Sequence, residues 1–210
     1  MKKALHALLL SLTFATPLAH ATPSVPVAGK DYDVVKAPTQ PNEPDGKVEV
    51  TEFFWYGCPH CAEFEPVLEA WAKKEGKKID LKRVPVPMSN AILPHSRMYY
   101  ALSGLGASER LMPALFNAIA GHGVPLLTPE NQAAFLEKYG IDKKTYLQAY
   151  QSMRVEADAS RATKLVHDYG IDGVPTVIVN GRYETGPAYT GSFDGSVAVL
   201  DYLVDHVAQH

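Results

Sequence analysis

The stretch "VEVTEFFWYGCPHCAEFEPVL", residues 48–68, joins two kinds of segment at a pair of cysteines. Its first part, 48–56, is apolar, β-branched and aromatic with little polar alternation, as in a strand buried on both faces. From Pro59 onward Phe64, Val67, Leu68 and Trp71 recur at three- and four-residue spacing. Glu63, Glu65, Glu69, Lys73 and Lys74 take the polar positions between them. That pattern predicts a helix. Pro59 suits its first position, where the missing N–H costs nothing, and Pro66 is expected to kink it. "IDLKRVPV" (79–86) returns to strand. The three pieces make a β-α-β unit, which calls for parallel strands and a right-handed crossover.

On the N-terminal side, residues 22–47 are rich in Pro and polar residues, with a short strand expected near 31–35. On the other side, segments near 95–104, 108–121, 130–139, 143–152 and 155–169 read as helices separated by Gly, Pro and Asp breaks. Gly123, Pro125 and Pro129 predict a loose centre to this helical block. "VPTVIVNGRYET" (174–185) predicts a hairpin turning at Asn180-Gly181, and 194–209 predicts an amphipathic helix. The order is β-α-β, a helical block, then β-β-α.

Residues 1–21 have a basic start (Lys2, Lys3), an apolar run too short to span a bilayer, and an Ala19-His20-Ala21 end. They read as a secretory signal cleaved after Ala21, which directs the remainder to a compartment where disulfides persist. The formal net charge is −3 without a long basic run, which argues against nucleic acid and against a polybasic membrane contact.

Cys58 and Cys61 are the only cysteines, and three readings compete for them. As a staple, a bridge closing about four residues stabilises by roughly 1.9 kcal/mol, against ~3 for fifteen, so it adds little to a chain of this length. As a zinc clip the pair lacks ligands: His95, His122, His167, His206 and His210 are scattered without metal spacing. The redox reading accounts for position as well as identity. The pair lies where a strand ends and a helix begins, where unpaired N–H groups and the helix dipole favour a thiolate at Cys58. Cys61, one turn on, is expected to be the more buried sulfur, and His60 can add a donor or a positive charge. Stabilising the thiolate stabilises the reduced form and makes the disulfide the stronger oxidant.

"EFFWYGCPHC" followed by a β-α-β unit resembles the thioredoxin superfamily, and Pro59-His60 between the cysteines makes it resemble the DsbA-type periplasmic thiol:disulfide oxidoreductases. The resemblance implies a thioredoxin fold, α/β, interrupted by an inserted all-helical domain. The expected division is signal 1–21, thioredoxin-fold parts 22–88 and 171–210, and helical insert 89–170. It implies that the Cys58–Cys61 disulfide is donated to newly exported proteins with free thiols, with Pro59 and His60 biasing the pair. "GVPT" (173–176) matches the family's cis-proline loop, which would make Pro175 the cis residue and Val174 the backbone partner of an extended substrate. Glu52 and Lys82 match a buried acid and base that assist proton movement beneath the cysteines. No metal and no soluble organic cofactor are implied. The expected partner is a quinone-linked inner-membrane protein of the DsbB type, and the protein is expected to act as a monomer in the periplasm. Two rivals remain: a reductase or isomerase on the same fold, and a peptide-binding chaperone that makes no use of its cysteines.

Overall fold

A computed structural model describes residues 25–36 and 46–208, so the signal read in 1–21 lies outside the described residues. Among the described residues five strands form one mixed sheet: β1 (Asp33–Val34), β2 (Val48–Phe54), β3 (Ile79–Pro85), β4 (Thr176–Val179) and β5 (Tyr183–Thr185). Their spatial order is β1-β5-β4-β2-β3. Only β2 and β3 run parallel, from Val48 opposite Ile79 to Phe54 opposite Pro85, as the β-α-β reading requires. β4 pairs antiparallel with β2 and with β5. The hairpin between β4 and β5 turns at Asn180 (φ 53°) and Gly181 (φ 62°), both in the left-handed region that a tight hairpin demands.

The crossover is α1 (Pro59–Glu75), a helix that continues through Pro66. It is followed by α2 (Leu93–Gly104), α3 (Ser108–Phe116), α4 (Pro129–Glu137), α5 (Lys143–Tyr150) and α6 (Met153–Tyr169). After β5 come the single turn α7 (Pro187–Thr190) and α8 (Phe193–Ala208). The helix expected over 108–121 divides, because α3 gives way at Asn117 to a π-helical turn ending at Gly121.

Alternation along the strands sorts the core into layers. Val48 and Val50 of β2 and Val177 and Val179 of β4 face α1 and α8, where they pack with Phe64, Leu68, Leu200 and Leu203. The opposite face carries Phe53 and Ile178 against Ala162 and Tyr169 of α6. At the end of β2, Phe54 and Tyr56 leave the sheet and enter a third cluster with Met98, Leu102, Leu115 and Phe116 of the helical block. The strand that carries the cysteines therefore seeds the core of the helices beside them.

The centre of the helical block, 123–127, is an irregular segment as Gly123 and Pro125 predict, and it is anchored from α4. Gln132 is fully buried; its amide donates to the carbonyl oxygens of Leu126 (2.7 Å) and Pro94 (3.1 Å) and accepts from the Tyr146 hydroxyl (2.6 Å). Gly123 and Pro125 leave 122–128 without helix, as expected, and side chains hold two of its carbonyls, Leu126 by Gln132 and Pro125 by His95.

Candidate active site

Cys58 stands at the N-cap of α1 in extended conformation (φ −88°, ψ 116°), with Pro59 in the first helical turn. Its N–H donates to the Trp55 carbonyl at 3.0 Å, closing a turn over Gly57. The Trp55 ring lies so close over Gly57 that a Cβ there would fall 2.3 Å from it, so only glycine fits. Trp55 is held in turn by its indole N–H, which donates to His95 Nδ1 at 3.0 Å. His95 must then donate from Nε2 to the Pro125 carbonyl at 2.7 Å, and burial holds its pKa below the usual value. His95 is thus a satisfied core histidine, consistent with its lack of ligand spacing. It ties the turn before the cysteines to the helical block.

The two sulfurs differ in every respect that governs reactivity. Both are free thiols, Cys58 partly exposed and Cys61 fully buried. The Cys58 Sγ accepts from the Cys61 N–H at 3.4 Å and, as a thiol, donates to the Val174 carbonyl at 3.4 Å. The Cys61 thiol beside it, together with the backbone N–H groups of Cys61 and His60, lowers the Cys58 pKa from 9.0 to about 6 despite partial burial. The positive field of His60 adds to this. Cys61 moves the other way: burial raises its pKa far above the usual range, helped by the bond it gives Cys58 and by the charge of Glu52. His60 itself is largely exposed, with Nδ1 at 3.5 Å from Glu63. The Val174–Pro175 peptide bond is cis, and through the Val174 carbonyl the loop touches Cys58 Sγ, 116 residues away in sequence.

Glu52 lies on the sheet face beneath α1, fully buried. The expectation that Lys82 sits there with it is corrected by strand register. Residue 52 pairs with Arg83, and residue 82 pairs with Thr51. A shift of one residue turns a side chain to the opposite face. Lys82 accordingly points to the far side of the sheet, where its Nζ meets Glu49 at 2.6 Å and Asp80 at 3.5 Å. The buried cation is Arg83. Its guanidinium meets Glu52 at 3.3 Å, Glu65 at 2.8 Å and Glu69 at 3.0 Å, and also bonds Glu109 at the start of α3.

Four carboxylates thus surround one guanidinium. Glu52 has its pKa raised, first by burial and then by the neighbouring charge of Glu65, with Arg83 only partly offsetting them. Glu65 is raised for the same first reason. Burial opposes the charge of Arg83, but its glutamates outweigh that and hold the guanidinium firmly protonated. Sequence reading missed Arg83, and assigned Glu65 and Glu69 to the polar face of a helix. The available signal was their four-residue spacing, which stacks both over the same strip of sheet.

A match to the family model of the DsbA-like thioredoxin domain spans residues 49–197, from β2 into α8. A thiol:disulfide interchange protein DsbA of Burkholderia cepacia is 56% identical over 207 residues, covering 99% of this chain and 98% of that protein. Another from Azotobacter vinelandii is 39% identical over 178 residues, covering 84% and 82%. The crystal structure of Pseudomonas aeruginosa DsbA superimposes with a TM-score of 0.82 at 34% identity, over 87% of this chain and 95% of that one. The chain belongs to the DsbA-like thioredoxin family. It has the DsbA-like fold, with a thioredoxin-type sheet and a helical insertion, and it is a thiol:disulfide oxidoreductase. In this DsbA-like protein the cysteine pair and the buried carboxylate share one stretch of sequence, while the Val174–Pro175 loop comes from another, more than 100 residues on. The sheet brings them together: β2 carries Glu52 and leads into the cysteines, and β4, its antiparallel neighbour, is preceded by the proline loop.

Proposed function

We propose that this DsbA-like oxidoreductase gives its Cys58–Cys61 disulfide to exported proteins in the periplasm and is reoxidised by a quinone-linked inner-membrane partner of the DsbB type. The observation that carries the direction of transfer is the opposed titration of the two sulfurs. A substrate thiolate attacks Cys58 Sγ; the new S–S bond forms as the Cys58–Cys61 bond breaks, and the electron pair leaves on Cys61. A thiolate at Cys61 is costly, so the departing sulfur needs a proton. Glu52, whose carboxyl is held protonated toward neutral pH by burial, is the group suited to supply it. A second substrate thiolate then attacks the substrate sulfur of the mixed disulfide. Cys58 leaves as a stable thiolate, and the substrate departs oxidised. Cys61, kept protonated, is a poor nucleophile for the reverse displacement, so the mixed disulfide resolves forward.

The signal read in residues 1–21 supports export, and the redox pair needs no metal or soluble cofactor for this exchange. Val174 and Pro175 flank the attacked sulfur, where an extended substrate backbone has to lie. A passive peptide binder has no use for a depressed Cys58 thiol beside a raised Cys61, and a reductase, which would use both, is separated by the potential of the pair.

The test is the reduction potential as a function of pH. Below the Cys58 pKa, reduction takes up two protons per two electrons and the potential falls about 59 mV per pH unit; above it, one proton is taken up and the slope halves to about 30 mV. The break is expected near pH 6, with no second break up to pH 9. A slope constant through that range overturns the thiolate assignment. A potential near about −270 mV, where thioredoxin-type reductants sit, overturns donation.

The same group links pH to stability. Its pKa in the folded dithiol lies below the ordinary 9.0. The stabilisation is therefore complete above pH 9 and is lost as pH falls through about 6. The melting temperature of the reduced form is expected to rise relative to the oxidised form between those limits, as differential scanning calorimetry of both forms would record.

A further inference from the structure

A groove of about 930 Å³ opens beside the reactive sulfur, between the first turns of α1, the loop that ends in Pro175, and the segment from α7 into α8. One end is set by His60 and Val174, the latter in contact with Cys58 Sγ. Most of its lining surface is apolar, with Val67, Pro175 and Phe193 among the lining residues, as suits a bound polypeptide segment. Its charge is one-sided. Glu63, Asp172, Glu184 and Asp194 line it, and among the described residues that line it there is no lysine or arginine.

At Glu184 the lining of the groove rests on a feature that sheets avoid. Asp33 of β1 and Glu184 of β5 are paired directly across the strands, two like charges in register. The Tyr189 hydroxyl lies close enough to both carboxylates for their charges to raise its pKa. Burial and the charges of Asp172 and Asp33 push the Glu184 carboxyl upward. A cation seated in the groove relieves that repulsion, whereas an anionic segment adds to it.

We infer that the groove selects, among exported polypeptides, cysteine-bearing segments with lysine or arginine near the reacting thiol, and disfavours acidic ones. Asp172, Glu184 and Asp194 act as its specificity-determining residues. This rests on the oxidase reading above and adds the class of substrate to it. The selection works on encounter and orientation before the exchange, through an electrostatic field focused by the apolar walls.

The test uses the oxidised protein and three dithiol peptides of one length, identical except for paired Lys, Gln or Glu residues flanking a cysteine. Each rate is divided by the same peptide's rate with the uncharged disulfide of 2-mercaptoethanol, which removes the effect of the flanks on the peptide's own thiol without adding a charge of its own. At about 0.01 M ionic strength the normalised rates are expected to fall in the order Lys, Gln, Glu, with about tenfold between the extremes. At about 1 M, where the screening length is only about 3 Å, the spread is expected to close to within about twofold. The variant Asp172→Asn/Glu184→Gln/Asp194→Asn is expected to reduce the low-salt Lys:Glu ratio toward one. Equal normalised rates with the native protein at low salt overturn the inference even if the variant fails to fold, and so does a ratio that survives in a folded variant. Failure to oxidise any of the peptides overturns the oxidase reading instead.

Discussion

Arg83→Met is expected to destabilise the folded protein by roughly 3–5 kcal/mol, the cost of removing one partner from a buried ion pair. The methionine fills much of the space but leaves Glu52 of the sheet and Glu65 of α1 buried against each other, with Glu69 and Glu109 close by. The loss depends on pH in a definite direction. Glu52 and Glu65 already have raised folded-state pKa values, and without the guanidinium both rise further. A carboxyl raised on folding keeps its full stability contribution below its unfolded pKa and loses it as pH climbs through the folded value. The deficit of Arg83→Met is therefore expected to be small near pH 4 and to grow toward pH 8, as urea unfolding at both pH values would register. Adding Glu52→Gln is expected to return part of the lost stability at pH 8, because the fully buried charge is gone. A pH-independent deficit, or no rescue by Glu52→Gln, would mean that Arg83 contributes packing alone.

Cys58→Ser is expected to abolish peptide oxidation altogether, since the sulfur attacked by substrate is lost. Changes at the buried partner separate its two roles. Cys61→Ser and Cys61→Ala both remove the disulfide and with it all donation. They differ in their effect on Cys58, because the largest influence lowering its pKa is the hydrogen bond from the Cys61 side chain. A serine hydroxyl can still donate that bond and an alanine cannot. The Cys58 thiolate, followed by its ultraviolet absorbance or by alkylation rate against pH, is expected to form near pH 6 in the native reduced protein. It is expected to stay low in Cys61→Ser and to move upward in Cys61→Ala. If Cys61→Ala titrates like the native protein, the helix N-terminus alone sets the thiolate, and the partner cysteine serves only as the second sulfur of the disulfide.

The readable features of this chain were those written in local period and spacing. The strand 48–56, the helix opened by Pro59, the return strand at 79 and the turn at Asn180-Gly181 each carry a pattern that a few neighbouring residues produce. Their order was enough to set the parallel pair and the returning hairpin. The contrast between the two cysteines was legible for the same reason, since an N-cap and a position one turn inside a helix differ whatever surrounds them. Lys82 and Arg83 were not separable in that way. Both sit in one strand opposite the acidic strand, and which of them meets Glu52 depends on a one-residue register that no local pattern encodes. The polar stripe of α1 was ambiguous too, because Glu65 and Glu69 look solvated until an arginine from the sheet rises beneath them. The tie from Trp55 through His95 to Pro125, and the acidic groove assembled from α1, the proline loop, β5 and α8, join residues far apart along the chain. Local sequence specified the reacting atoms and the elements that carry them. The neighbours that set their protonation and the charge of the surface around them were set when the sheet closed in register, because electrostatic fields follow distance in space and not along the chain.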